Sequence, residues 1–472
     1  MTHVAVVGGG ITGLACALEL VDAGVEVTVL EAGDRLGGNI RTSPFAGLDV
    51  DEAADAFLAR VPEGVALCQR LGLADQLVSP ANAGAYVWAR GALRRLPAGL
   101  ALGVPGEILP VARSGNLSLR GMARAALEPV LPRRRGAEPD ALGPLVSDRF
   151  GCEVLERLVD PLIGGINAGD SSRLSAEAVA PQIAGVAECS RSLLLGLRSE
   201  RRAHPPDPTA PIFFTLRGGM GGLIDALASA IAGAAVAATI ELGSPVESVE
   251  FAESGAVQVN LDALAANRRR IAADAVVLAC PAYASAWLLA EVSPRVAATL
   301  RGIDYASVAL VTLAFDDASI GRPLDATGLL VPKAAQSTVT AASWASTKWS
   351  HWRRPGQVIV RASAGRDGDE HALDLTDDDL VGGVLADLER LMDLRGAPTQ
   401  VRVSRWPRSF PQYRPGHLER VEEAERQLAA DAPTVVLAGA AYRGLGIPAC
   451  IRQGQAAARA LTARLRADTA RA

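Results

Sequence analysis

Val4-Ala5-Val6-Val7-Gly8-Gly9-Gly10-Ile11-Thr12-Gly13-Leu14 is an apolar strand running into a glycine-punctuated helix start. Gly8, Gly10 and Gly13 have the G-x-G-x-x-G spacing, and the context gives that spacing meaning. A strand (Val4 to Val7) precedes it, a helix to about Ala23 follows, and a second strand (Val25 to Leu30) ends in Glu31. Gly8 permits a tight turn, Gly10 leaves room for a pyrophosphate, and Gly13 lets the helix pack closely on the strand. The first helical N–H groups, at Ile11 and Thr12, carry partial positive charge toward phosphates. Glu31, followed by Ala32, can accept hydrogen bonds from a ribose diol and would repel a phosphorylated ribose. The stretch predicts a Rossmann-like dinucleotide site in an α/β fold, and alone it does not separate NAD from FAD.

The continuation Arg35-Leu36-Gly37-Gly38-Asn39-Ile40-Arg41-Thr42 narrows the choice. Paired glycines allow a second close backbone approach, and Arg35 and Arg41 are cations available to phosphates. The doublet resembles the R-x-G-G element of amine-oxidase-type flavoproteins, which makes FAD the expected cofactor. Further on, Ala53-Ala54-Asp55-Ala56 offers small side chains against which a flat ring could lie; a short solvent turn is the alternative.

Composition excludes several other classes. With 472 residues the chain exceeds one ordinary core, so two or three substructures are expected. A net charge of -5 gives no basic groove for nucleic acid. The cysteines at 16, 68, 152, 189, 280 and 450 are scattered, which indicates neither a disulfide framework nor a metal site and fits a reducing cytoplasm. No signal peptide is apparent, and the apolar run Ala226 to Ile240 is short for a span of about 20 residues.

Along the chain, residues 58 to 78 have helical periodicity, and Tyr86-Val87-Trp88 reads as a strand. Glycines and prolines then punctuate the sequence to about Pro132. The triplet Arg133-Arg134-Arg135 reads as a solvated loop, with contact to an anionic membrane surface as the alternative. Residues 141 to 163 look helical, and Ile163-Gly164-Gly165-Ile166-Asn167-Ala168-Gly169-Asp170 implies either unusual dihedrals or a surface that something presses against. The segment 199 to 211 is a proline-rich connector. A helix, a strand to Val249, a hairpin through Ser254-Gly255 and a buried strand ending at Cys280-Pro281 resume the cofactor domain. Residues 299 to 405 alternate strand-like runs with one long helix from Asp379 to Leu394, which predicts a mostly antiparallel sheet. A last buried strand, Thr434 to Gly439, is followed by Gly446-Ile447-Pro448 opening a terminal helix, whose N-terminus can stabilise charge on a reduced flavin.

Taken together, the amino-terminal fingerprint, Gly165 to Asp170, Arg405-Trp406-Pro407, Pro411-Gln412-Tyr413, Gly416-His417 and Ala441 to Pro448 resemble the protoporphyrinogen and coproporphyrinogen oxidases, FAD enzymes of haem synthesis. The resemblance implies a Rossmann-like FAD-binding domain with the glycine doublet, assembled from residues 1–80, 210–298 and 418–472. With it go a mainly helical subdomain at 81–169 and an antiparallel-sheet substrate domain at 170–209 and 299–417. It places Val246 against the adenine, Trp406 and Gly446-Ile447 at the isoalloxazine, and Gly165 opposite the flavin as a spacer for the porphyrinogen ring. The implied chemistry uses no side-chain base: hydride passes from the substrate to flavin N5 and dioxygen takes the electrons. Where protoporphyrinogen-specific members carry an arginine, this chain has Ala85, and residues 96 to 126 look like the Gram-positive coproporphyrinogen enzymes. Coproporphyrinogen III is therefore the expected substrate, with Arg120, Arg124 and Lys348 as candidate propionate partners. The alternatives are a protoporphyrinogen IX oxidase, another FAD amine oxidase or desaturase, and a flavin-binding partner without turnover. Peripheral membrane contact, contact with other haem-pathway enzymes, and a monomer or homodimer remain open. Ala53-Ala54 in place of Gly-Pro, and Asn39 and Asn167 in place of aromatic or basic residues, depart from the family pattern.

Overall fold

The computed structural model describes residues 2–131, 140–205, 207, 209–251, 257–261 and 269–469. Arg133 to Arg135 and the hairpin tip at Ser254-Gly255 lie outside the described residues.

The fingerprint strand His3–Val7 is the centre of a five-stranded parallel sheet. Its order is Ala238–Glu241, Glu26–Leu30, His3–Val7, Ala275–Leu278 and Val435–Leu437, so the sheet draws on widely separated parts of the chain. Continuous apolar runs such as Ala275-Val276-Val277-Leu278 suit strands covered on both faces, and all four of these residues have no solvent exposure. On one face lie the helices Ile11–Asp22, Gly221–Ala232 and Ile447–Thr469. The other face carries a core with Val249, Val257, Leu288 and Tyr442.

A seven-stranded sheet runs Gln400–Pro411, Tyr305–Asp316, Gln357–Ala364, Val339–Trp344, Gly328–Leu330, Tyr86–Ala89 and Ala92–Arg95. Its pairs are antiparallel except that between Gly328–Leu330 and Tyr86–Ala89. The helix Asp377–Met392 covers one face through Leu380, Val384, Leu388 and Leu391, a spacing that aligns them along one stripe. Thr376 caps it by accepting from the Asp379 N–H.

Two segments differ from the sequence-based division. Residues 86–95, expected with the helical subdomain, extend the seven-stranded sheet, because their alternating side chains complete its edge. Residues 174–197, expected with the sheet, bury Leu174, Ile183, Leu193 and Leu197 in one cluster with Val104, Val146, Phe150 and Ile163. The glycine-rich run at 163–169 is also more regular than its composition predicts. The helix Asp160–Asn167 continues through Gly164 and Gly165, and the left-handed residue is Ala168 at φ 47°. Packing within the helical cluster, with Ile163 fully buried, outweighs the cost of two glycines in a helix.

Among the described residues no helix is long and apolar enough to cross a membrane, and no cluster could hold a metal ion. The six cysteines are unpaired.

Candidate cofactor and substrate site

The fingerprint turn is built by backbone contact. Gly8 has φ 111°, and a Cβ there would lie 2.8 Å from the carbonyl oxygen of Ala279, the residue just past the adjacent strand. A Cβ on Gly13 would lie 2.0 Å from the Gly8 carbonyl oxygen, so any side chain would lift the helix off the strand. At Gly10 the opposite holds: a Cβ would meet nothing within 4 Å, which leaves an open approach to the backbone. The helix begins at Ile11 and Thr12 without a side-chain cap, so its first N–H groups can meet an anion. A dinucleotide pyrophosphate fits this cradle.

The doublet lies directly against the turn. Gly37 forms a parallel bridge with Gly10, its N–H donating to the Gly9 carbonyl at 2.9 Å, and Gly37 and Gly38 have φ of 99° and 55°. Glu31 closes the turn, accepting from the Gly9 N–H at 2.7 Å and the Gly33 N–H at 2.8 Å. Ala32 is exposed beside it. The Gly243 and Ser244 N–H groups donate to the Gly33 and Glu31 carbonyls, which brings the strand starting at Val246 to the same edge.

The arginines behave differently from the expectation of free phosphate ligands. Arg35 donates to the carbonyls of Leu36, Ile40 and Gly38, folding the doublet loop around its own guanidinium. Burial, with Arg41 nearby, lowers its pKa. Arg41 pairs with the buried Glu52 at 3.1 Å. Both charges lie beside the doublet, but their hydrogen bonds serve the loop.

From the doublet the site extends toward the seven-stranded sheet. Asn39 donates to the Ser409 carbonyl at 3.2 Å, and the half-buried Trp406 donates its indole N–H to the Glu52 carbonyl at 3.1 Å. Gly446 accepts from the Cys450 N–H in the first turn of the helix Ile447–Thr469, with Ile447 buried below it. That helix crosses the fingerprint helix at Gly454, where a Cβ would stand 2.2 Å from the Thr12 carbonyl oxygen. Gly454 was not singled out by sequence reasoning, since one glycine among alanines has no motif around it.

Residues 42–56 are held by a buried charged layer that sequence reasoning missed. Arg402, Thr312, Arg361 and Ser343 stand in register on four adjacent strands, so their side chains share one face of the sheet. Arg402 donates to the Ser43 hydroxyl at 2.7 Å and the Val50 carbonyl at 3.1 Å. Arg361 donates to the Ala53 carbonyl at 2.6 Å and pairs with Asp55 at 3.0 Å. Asp55 also accepts from Lys348 at 3.1 Å and from the Trp349 indole at 3.1 Å. These cations hold its carboxyl well below the usual range, although burial pushes the other way. Asp51 accepts from the Thr42 hydroxyl and the Met220 N–H, and burial pushes its carboxyl up to about 6. Its second oxygen, Oδ2, is buried without a protein partner, as are Arg361 Nε, Thr312 Oγ1 and Ser343 Oγ.

The expected propionate partners do not converge. Lys348 has 13% of its side chain exposed and is paired with Asp55. Arg124 donates to the carbonyls of Arg149 at 2.7 Å and Asp148 at 2.6 Å, capping the helix Leu142–Phe150. Arg120 is exposed on the helix Leu119–Ala126, beside Leu119. The Asp55 carboxylate faces the sheet cations, so Ala54 and Ala56 are left with only small side chains to offer a ring. Gly165 is exposed, a Cβ there would touch Leu330 at 3.4 Å, and Ile166 beside it is 48% exposed. A cavity of about 830 Å³ lies elsewhere, lined by Glu156, Asp160, Asp170, Lys333, Asp369 and His371 among others. It includes neither Gly165 nor Trp406, and its excess of carboxylates does not suit an anionic substrate.

Comparison with known proteins agrees with this architecture. Residues 11–462 match the family described as flavin containing amine oxidoreductase. The chain is 34% identical to the coproporphyrinogen III oxidase of Bacillus subtilis over 96% of its own length and 97% of that protein's. It is 36% identical to the coproporphyrinogen III oxidase of Mycobacterium leprae over 99% and 98% of the two chains. A crystal structure of a protein from Exiguobacterium sp. 255-15 superposes with a TM-score of 0.85 at 28% identity, covering 98% of this chain and 99% of that one. The chain thus belongs to the flavin-containing amine oxidoreductases, as an FAD-dependent oxidoreductase in the company of the coproporphyrinogen III oxidases.

Proposed function

We propose that this protein oxidises coproporphyrinogen III to coproporphyrin III in haem biosynthesis. The observation that carries the reading is near-full-length similarity to proteins of that name, in a chain that retains the whole fingerprint and doublet. FAD, when bound, supplies the two-electron acceptor, and dioxygen removes the electrons as hydrogen peroxide. Removal of six hydrogens from a porphyrinogen then takes three such rounds.

The chain's own residues bind, orient and exclude. Gly8, Gly10, Ile11, Thr12 and Gly13 cradle the pyrophosphate, Glu31 and Ala32 flank the ribose, and Val246 lies at the adenine. Gly37, Gly38 and Asn39 turn the cofactor toward the sheet. Ala54, Ala56, Trp406, Gly446 and Ile447 frame the flavin ring, while the helix N-terminus at Ile447 favours negative charge on the reduced form. Gly165 and Ile166 form the facing wall, where the missing side chain gives a large ring room to lie flat. With Lys348 and Arg124 engaged elsewhere, the propionates stay largely in solvent. The FAD-binding segments are 1–80, 210–298 and 418–472.

The test is direct. Purified protein should carry FAD and, under air, release peroxide and develop porphyrin fluorescence faster from coproporphyrinogen III than from protoporphyrinogen IX. A faster rate with protoporphyrinogen IX would reverse the substrate assignment, and absence of turnover with both would reduce the protein to a flavin-binding partner.

A further inference from the structure

Ala53 to Ala56 has no regular secondary structure, and three of its four side chains are methyl groups. Nothing local holds it. Its position is imposed from the opposite sheet, where Arg361 is 4% exposed in the middle of the strand Gln357–Ala364. One nitrogen, Nη2, donates to the Ala53 carbonyl at 2.6 Å, and the other, Nη1, reaches the Asp55 carboxylate at 3.0 Å. Lys348 and Trp349 hold the same carboxylate from a neighbouring segment, and the Lys348 ammonium lies 4.6 Å from the centre of the Trp349 ring.

We propose that Arg361 is a positioning residue for the flavin: by gripping Ala53 and Asp55 together it fixes the backbone against which the isoalloxazine lies. The inference rests on the flavin placement proposed above. A guanidinium suits the task because its rigid fork fixes the spacing and plane of two acceptors, whereas an ammonium fixes neither. Stability alone does not explain a cation here. Well-packed apolar residues in place of a buried ion pair are often as stable or more so, while removing one partner strands the other charge. The arrangement therefore contributes geometry: two cations and an indole fix one carboxylate and, through it, a strip of backbone too poor in side chains to fix itself.

The test uses apoprotein freed of flavin and titrated with FAD, following the quenching of FAD fluorescence and the visible spectrum of the bound form. Arg361→Met should weaken FAD binding at least tenfold and shift the flavin absorption bands, with Arg361→Lys between it and the wild type. Asp55→Asn keeps the shape but removes the charge and should change both readouts in the same direction; it decides the matter if Arg361→Met does not fold. Val360→Ala is the comparator, because Val360 is fully buried in the cluster beneath the helix Asp377–Met392. It should lower the melting temperature while leaving FAD affinity and spectrum unchanged. If Arg361→Met and Asp55→Asn match Val360→Ala, melting lower but binding FAD like the wild type, the positioning role is overturned. Wild-type apoprotein that fails to bind FAD would instead remove the cofactor placement itself. No porphyrinogen is used, so the substrate assignment does not enter the result.

Discussion

Around Gly8 to Gly13 the chain makes a binding surface from consecutive residues and bare backbone, whereas around Ala53 to Asp55 it gathers side chains from strands as far as 308 positions away. The first region tolerates no atoms where Gly8 and Gly13 stand and leaves Gly10 open. The second depends on charges that find one another only after the sheet has formed. A surface made by omission is specified locally; a surface made by pairing is specified by the register of distant strands.

The contrast can be broken most severely at Gly13. Gly13→Val places a side chain where even a Cβ would stand 2.0 Å from the Gly8 carbonyl oxygen, and we expect protein that purifies without flavin absorbance. A flavin-loaded Gly13→Val protein would show that the turn is far more yielding than its packing implies. Next in size is Asp55→Ala, which strands Arg361 and Lys348 in a buried site and should destabilise by about 3–5 kcal/mol in denaturant melts. A loss near zero would mean that water reaches this layer.

Asp51 sharpens the comparison through pH. Its folded pKa of about 6 lies above the ordinary aspartate value of 3.8, so the folded state binds the proton more tightly. The ionised group then opposes folding fully above about pH 6, and this opposition fades as pH falls through 6 and is gone below 3.8. Asp51→Asn should therefore gain on the wild type by up to about 3 kcal/mol at neutral pH, and the difference should shrink toward pH 4. Melting curves of both proteins across that range provide the check, and a pH-independent difference would contradict it. The smallest effect is expected at Arg120→Ala: with the residue exposed, stability should stay within about 0.5 kcal/mol and the KM for porphyrinogen should not change. A several-fold rise in KM would restore Arg120 as a propionate partner.

Legibility follows the same division. The parallel sheet, its glycine turn and the doublet were readable because Gly8, Gly13 and Gly37 encode their geometry within a few positions. The antiparallel sheet was readable from runs such as Tyr305–Asp316, whose strand pattern is also local. The partners of Lys348 and Arg124 were not legible, because nothing near them in sequence shows Asp55 or the Arg149 carbonyl. Arg361 was invisible for the same reason: its partners lie across strand pairings that no periodicity reports. The end of the helix Asp160–Asn167 was only half legible: residues to 163 read as helical, but that the helix runs on through Gly164 and Gly165 to Asn167 depends on tertiary packing.

The crossing of the terminal helix over the fingerprint helix at Gly454 also bears on how the protein is made. Residues 11 and 12 are synthesised long before the helix that packs against them, and the parallel sheet gains its last strand only with Val435–Leu437. The strand His3–Val7 therefore lacks its second neighbour until Ala275–Leu278 is made, and the helix Ile11–Asp22 waits longer still for the one that packs on it. Such non-local closure is slow and leaves the nascent chain exposed to aggregation. Loading of the cofactor then becomes a late event that reports the meeting of segments as far apart as Thr12 and Gly454.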